Sequence, residues 1–331
     1  MNPAAHPQPS AQPRRVFMLG ATGTIGRATV RALVRRGHDV VCFSRGAHGS
    51  ANNIPGVTVR TGDVGDPVSL RRDGFRGEQF DALVSCMASR TGTPKDAWAI
   101  DHQGHVNALV AARDAGVTQV VLLSAICVQK PRLAFQQAKL AFEAALMASG
   151  LTYSIVRATA FFKSLSGQVD RVRSGKPFLL FGNGTLTACK PISDDDLGAY
   201  LADCLDDPTR HDRILPIGGP GPAITPRAQG EQLFALLQRT PRYRHVPVTL
   251  LDAIIAVLGT LGRVVPALAE KAELARIGRY YATESMLVLD PVSGRYDAAA
   301  TPETGTDTLF DYYATLIRGH ARAERGDHAV F

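Results

Sequence analysis

The sequence is short of most features that would mark it as anything but an ordinary globular protein. Its five cysteines, Cys42, Cys86, Cys127, Cys189 and Cys204, are odd in number and widely spaced. That argues against a disulfide framework, a zinc site and an iron–sulfur cluster, and suits buried thiols in a reducing compartment. Histidines are dispersed and no His/Cys/carboxylate group has ligand spacing, so no metal site is expected. Long apolar runs are missing too. The most hydrophobic stretch, Val246–Leu268, is broken by Pro247, Asp252, Arg263 and Pro266, which is too interrupted to span a bilayer but suited to touching a membrane or an apolar ligand. The opening MNPAAHPQPSAQ has no apolar core of a signal peptide and reads as a polar tail, which puts the chain in the cytoplasm. The net charge of +7 comes from scattered basic residues. No nucleic-acid face is expected from them, only a general attraction for anionic ligands or membrane surfaces.

What the chain does have begins at Val16. The run VFMLGATGTIGR is an apolar strand that breaks into a loop with glycine at 20, 23 and 26 and resumes as a helix. Gly20 permits a tight turn, Gly23 lets backbone approach a pyrophosphate, and Gly26 lets the helix sit close on the strand. A dinucleotide is the expected ligand.

Strands are predicted at Arg15–Leu19, His38–Phe43, Val57–Thr61, Ala82–Cys86, Gln119–Ser124 and Thr152–Val156. Helical patterns alternate with them near Ile25–Arg36, Pro67–Asp73, Ala97–Ala115, Leu133–Ser149 and Phe162–Ser174. Runs such as VVLLS are apolar throughout, as in strands covered on both faces. The fold class is α/β: a Rossmann-type doubly wound parallel sheet with a smaller mixed C-terminal substrate lobe. Residues 1–13 form a tail, 14–157 the cofactor-binding domain, 158–320 a substrate-binding lobe interleaved with the end of the sheet, and 321–331 a second tail. Within the lobe, Phe178–Pro191 reads as a hairpin around Gly182-Asn183-Gly184, and Ser193 with Asp196 starts a helix.

At the end of the second strand an NAD site would place an acid against the ribose hydroxyls, whereas this chain has Phe43-Ser44-Arg45. That favours NADPH, with Arg45 and Arg27 as guanidinium partners for the 2′-phosphate. Asp63, in Gly62-Asp63-Val64, is placed to meet the adenine amino group.

GATGTIGR, the arginine after the second strand, GDV, LSxxxV and VRATAFF together resemble the atypical, NmrA-like and isoflavone-reductase-like branch of the short-chain dehydrogenase/reductases over roughly residues 14–205. The resemblance implies a cofactor-binding set of Gly20, Thr22, Gly23, Thr24, Ile25, Gly26, Arg27, Arg45, Asp63, Val64, Cys86, Ser124, Lys139, Ala158 and Thr159. The ordinary branch moves its proton with a Tyr-x-x-x-Lys pair, but here the positions are Phe135 and Lys139. Without the hydroxyl, alcohol–ketone chemistry is in doubt. Lys139 is one of only seven lysines among 37 basic residues and sits on the largely apolar AFQQAKLAFEAAL. It is therefore the catalytic candidate.

The strings RILPIGGPGPAITPRAQGEQLF, HVPVTLLDAIIAVL, KAELARIGRYYATESMLVLD and TPETGTDTLFDYYATL resemble the divinyl chlorophyllide 8-vinyl-reductase family over about residues 14–318. That resemblance implies NADPH-dependent reduction of the 8-vinyl group of 3,8-divinyl chlorophyllide a, or its protochlorophyllide relative, to ethyl. The tetrapyrrole brings its own magnesium. Phe161, Phe162, Lys163, Arg276 and Tyr280 are the substrate-binding candidates. Phe178, Phe181 and Tyr281 are further aromatic surface and Arg279 a further propionate partner. Water, Tyr153 and Tyr281 are alternatives to Lys139 as proton donor, and Arg157 reads as structural. The competing readings are an NmrA-like NADP(H)-sensing regulator, an isoflavone-reductase-like ene-reductase on another conjugated substrate, and a scaffold for a membrane complex. Oligomeric state is not set by the sequence, and peripheral contact with a photosynthetic membrane is left open.

Overall fold

The computed structural model describes residues 12–46 and 55–319. Of the tails expected at 1–13 and 321–331, only Gln12 and Pro13 fall among them. The chain enters through β1 (Arg15–Leu19), turns into α1 (Thr24–Arg35), and continues through β2 (Asp39–Ser44) and β3 (Val57–Thr61). A short α2 (Pro67–Ser69), capped by the Asp66 carboxylate, leads to β4 (Ala82–Ser85), α3 (Pro94–Ala97), α4 (His105–Asp114), β5 (Gln119–Ala125), α5 (Ala134–Met147) and β6 (Thr152–Ala158). The second half holds α6 (Phe162–Leu165), α7 (Val169–Arg173), β7 (Phe178–Phe181), α8 (Asp194–Asp206), β8 (Arg213–Ile217), α9 (Pro226–Leu236) and β9 (Tyr243–Val246). It closes with α10 (Val248–Leu261), α11 (Pro266–Thr283), β10 (Val288–Leu289), β11 (Tyr296–Asp297) and α12 (Leu309–Ile317).

Seven strands pair in the order β3-β2-β1-β4-β5-β6-β8, every pair parallel. Both sheet faces are buried, which explains the unbroken apolar runs. Val16 and Met18 face one side with Leu33 of α1 and Leu201 of α8. Phe17 and Leu19 face the other with Phe75, Phe80, Leu109 and Phe142, and Phe17 stacks on Phe75 at 4.0 Å between ring centres. The order reverses between β1 and β4, so the crevice where a doubly wound sheet takes its ligand opens above those two strands.

Four expectations change, the first being the helix expected at Pro67–Asp73, which passes after Ser69 into a wider π-type turn at Leu70–Phe75. Phe178–Pro191 is not a hairpin: β7 pairs in parallel with the distant β9. The chain turns at Gly182–Gly184 but then leaves the strand, and Cys189 bridges instead to Ile224 and Met286. The helix expected at Ala97–Ala115 is interrupted by a wider π-type turn over 98–104, and the one at Phe162–Ser174 by a 3₁₀ turn at Ser166–Gln168. The helix start at Ser193 stands, its hydroxyl accepting the Asp196 N–H at 3.0 Å.

A third core joins α6, α7, β7, α9 and α12, and it contains Phe162 and Phe178. Phe162 is only 4% exposed and packs on Tyr312 at 5.6 Å. Neither ring offers a ligand the surface expected of it.

Candidate cofactor and catalytic site

The glycine turn is built by close approach. Gly20 has φ +74°, and a Cβ there would stand 2.5 Å from backbone of Cys86 and Met87 at the end of β4. At Gly26 a Cβ would lie 2.0 Å from the Gly20 carbonyl oxygen. Gly23 differs, since a Cβ would meet only Gly20 O, at an ordinary 3.5 Å. No neighbour in the fold demands glycine at 23. Gly23 is also the N-cap of α1, with no capping side chain and no acid in the first turn. The helix therefore presents uncapped N–H groups and its positive dipole end, the arrangement that binds a phosphate anion.

The other expected cofactor residues line the carboxyl ends of neighbouring strands. Arg45 is exposed just past β2. After β3, Asp63 Oδ1 accepts the Gly65 N–H at 2.8 Å, and the Asn107 amide donates to the carbonyl of buried Val64 at 3.1 Å, which pins that loop. Cys86 follows β4, where burial pushes its thiol up to about 12; it is a packing group against Thr29 at 3.6 Å. Ile25 and Ala158 belong to the core. The Thr159 hydroxyl donates to the Lys190 carbonyl, and an Arg27 guanidinium N–H donates to Thr22 O at 2.9 Å.

Ser124, at the end of β5, donates its hydroxyl to buried Glu143, which also takes the Arg157 guanidinium. Arg157 is the structural tie that the sequence suggests. Lys139, four residues before Glu143 on α5, is nearly buried, and its Nζ lies 2.9 Å from Asp101 Oδ1. Asp101 comes from the π-type turn, also accepts the Ser89 N–H, and has its other oxygen, Oδ2, buried without a partner. Burial works to raise the Asp101 carboxyl, but the Lys139 ammonium and Ser89 hold it below its ordinary value. Beside them His105 takes a neutral form. Its Nδ1–H can only donate to the Ile100 carbonyl, leaving Nε2 to accept from Ser85, both at 2.8 Å. Burial and then the Lys139 charge lower it to about 4. Asp101, His105, Ser124, Lys139 and Phe142 line a cavity of about 10 Å³, room for a single water.

Phe135 occupies the position one turn before Lys139 and is almost fully buried. It packs with Ile126, Ile277 and Tyr280, so the group above the lysine is apolar.

The substrate candidates scatter. The Lys163 ammonium donates to Thr24 Oγ1 at 2.7 Å, at the first turn of α1. Asp194 of α8 stands near it, raised to about 6 by burial against the opposing pull of Lys163, Arg27 and Arg31, with Oδ1 unpartnered. Tyr280 is a core residue whose hydroxyl donates to the Cys127 carbonyl at 2.9 Å, which pins α11 over the segment after β5. Arg276 pairs with Glu273 at 3.0 Å and Arg279 with Asp252. Phe161 and Phe181 are half-buried. Tyr153, second residue of β6, sits at the amino end of the strands, opposite the carboxyl ends where the ligand crevice opens, and drops out as a proton donor. The Tyr281 hydroxyl lies 3.8 Å from Cys127 Sγ. Among the described residues no cluster could hold a metal.

Sequence reasoning missed Asp101, His105, Glu143 and Asp194. Asp101 lies 38 residues from its lysine in a stretch that reads as an ordinary helix, so no local spacing announces the pair.

A family described as NAD(P)H-binding matches residues 20–208. The divinyl chlorophyllide a 8-vinyl-reductase, chloroplastic, of Oryza sativa subsp. indica is 48% identical, across 99% of this chain and 85% of its own length. The protein of the same name from Arabidopsis thaliana is 46% identical, across 94% and 79%. Among solved structures, an NADPH-dependent quinone oxidoreductase from Escherichia coli complexed with NADPH superposes with a TM-score of 0.66 at 18% identity, covering 91% of this chain and 99% of that one. At that identity the likeness is one of fold.

Proposed function

This chain belongs to the divinyl chlorophyllide a 8-vinyl-reductase family, and from that premise we propose that it reduces the 8-vinyl group of 3,8-divinyl chlorophyllide a, or of its protochlorophyllide relative, to ethyl with NADPH. It is an oxidoreductase with a nicotinamide cofactor. The observation that carries the chemistry is the pairing of apolar Phe135 with an Asp101-held Lys139 where a carbonyl reductase needs a tyrosine hydroxyl.

The residues present fit the cofactor. Gly23 and the uncapped N-terminus of α1 receive its diphosphate, and Lys163, on Thr24, adds the positive charge. We therefore reassign Lys163 from the substrate's propionate to the cofactor's diphosphate. Arg45, with no acid beside it at the end of β2, takes the 2′-phosphate. When bound, NADPH supplies a hydride.

Vinyl reduction adds that hydride and one proton across a carbon–carbon double bond. Negative charge developing on the side chain spreads into the conjugated macrocycle, so no fixed oxyanion donor is needed. An ammonium has three donors, and Asp101 takes one at Lys139. The remaining two orient the nicotinamide ribose and place positive charge beside the reacting side chain. Lys139 or water delivers the proton. Arg276, exposed on α11 one turn from Tyr280, pairs with the propionate, and half-buried Phe161 and Tyr281 supply apolar surface for the ring. In this reading residues 14–157 hold most of the cofactor and 158–320 most of the substrate. The protein works in the cytoplasm at the face of a photosynthetic membrane.

The test is anaerobic incubation with 3,8-divinyl chlorophyllide a and NADPH, without flavin or ferredoxin, followed by chromatographic separation of divinyl from monovinyl pigment. Monovinyl product is expected. A protein that binds NADPH but yields no product is instead a cofactor-sensing regulator or a reductase of another conjugated alkene.

A further inference from the structure

Helix α10 is rich in leucine, isoleucine and valine, and none of its residues is buried. Leu250, Ile254, Val257 and Leu261 are all exposed, Val257 by 58%. At about 100° per residue these four fall within roughly 60° of one another around the helix, a single stripe. Val264, 84% exposed, and Val265 extend the stripe beyond the last turn. The half-buried Leu251, Ile255 and Leu258 lie about 100° further round the helix, and α11 is the helix packed against α10.

Charge around this stripe is one-sided. Between residues 232 and 269 the single acid is Asp252, and its carboxylate is tied to Arg279 of α11. Over the same stretch Arg242, Arg244 and Arg263 are exposed, while the Arg239 guanidinium is held by the Val172 and Arg173 carbonyls of α7. Glu270 and Lys271, next along the chain, cancel each other.

We propose that this face of α10 docks the chain on a lipid bilayer carrying anionic headgroups. The apolar stripe enters the boundary between headgroups and acyl chains, and the flanking arginines pair with lipid phosphates. The helix lies on the membrane. Its 14 residues reach about 21 Å, short of a hydrocarbon core of about 30 Å, and no described helix is long and apolar enough to cross one. A second copy of the chain fits less well. A two-fold contact sets the same patch against itself, which would bring basic patch to basic patch with no free acid to balance them.

The inference gives the membrane placement above its contact surface, and it is tested without pigment or cofactor, so its failure leaves the reductase reading standing. Full-length protein is floated with vesicles of phosphatidylcholine alone and of phosphatidylcholine with 30% phosphatidylglycerol. Binding to the anionic vesicles, reduced severalfold by 0.5 M salt, is expected. The triple variant Leu250→Gln, Ile254→Gln, Val257→Gln alters only exposed side chains and should lose at least tenfold in vesicle affinity while keeping its circular dichroism and NADPH affinity. Arg244→Gln with Arg263→Gln should weaken binding to anionic vesicles alone. No binding to anionic vesicles, or binding that the triple variant leaves intact, overturns the proposal. So does light scattering that shows a dimer which the triple variant converts to monomer.

Discussion

Lys139 Nζ lies 2.9 Å from Asp101 Oδ1, which joins the middle of α5 to a π-type turn 38 residues earlier in the chain. The Asp101 side chain is wholly buried and that of Lys139 nearly so. Removing one partner strands the other's charge, so Asp101→Ala should cost roughly 3 kcal/mol or more of stability, measured by urea unfolding. Lys139→Ala is expected to lower kcat or NADPH affinity by roughly tenfold or more. Lys130→Ala, whose ammonium is tied to Glu284 at 2.8 Å, should change turnover little. Equal turnover in the two lysine variants would remove Lys139 from the chemistry.

Acid should weaken the fold through His105. Its folded value is lowered to about 4, against about 6.5 in an unfolded chain. Between those values the unfolded state binds a proton that the folded state does not. Stability is therefore full above about pH 6.5 and declines as pH falls toward 4, by on the order of 3 kcal/mol. Urea midpoints from pH 7 to 4.5 read the slope. His105→Gln, which cannot titrate, should be less stable at pH 7 yet show a shallower decline, and an unchanged slope would exclude His105 as its source.

Lys163 allows two roles to be told apart by kinetics. Bound to Thr24 at the first turn of α1, it should act on the cofactor. Lys163→Ala is expected to weaken NADPH binding roughly tenfold, about 1.4 kcal/mol, as followed by nicotinamide fluorescence. The KM for pigment should stay nearly constant. A raised pigment KM with unchanged NADPH affinity would return Lys163 to the propionate.

The nearby Asp194 gives that site a pH dependence. Its carboxyl is raised to about 6, so it gains a negative charge as pH rises through that value, beside the place proposed for the diphosphate. NADPH affinity should be weaker at pH 7.5 than at pH 5.5 relative to an Asp194→Asn variant measured over the same range. Identical pH profiles for the two proteins would separate Asp194 from the cofactor.

The sheet was readable in the sequence because its physics is local. Strands such as Gln119–Ala125 are apolar without interruption, and Gly20 and Gly26 stand where a side chain would strike backbone. Other features depend on partners far along the chain. Phe178–Phe181 looks like half of a hairpin, because nothing within it points to Tyr243–Val246. Phe162 and Tyr280 looked like ligand surface because an aromatic next to a loop reads the same whether it faces a pocket or another core. The Lys139 candidate could be picked out from its apolar helix. Its partner could not, since an aspartate in a polar helical stretch carries no mark of being buried.

In the proposed NADPH reading, cofactor choice turns on Arg45, which stands exposed just past β2, where an NAD site would carry an acid. A guanidinium there gains from the 2′-phosphate and has nothing comparable to bind on NADH, so its removal should act on one cofactor only. Arg45→Ala is expected to raise the KM for NADPH roughly tenfold, about 1.4 kcal/mol of lost contact, with the KM for NADH nearly unchanged. Steady-state kinetics with both nucleotides decides it. Parallel increases would mean that Arg45 holds the adenosine end in general, and no change with either would assign the 2′-phosphate to another residue, with Arg27 next in line.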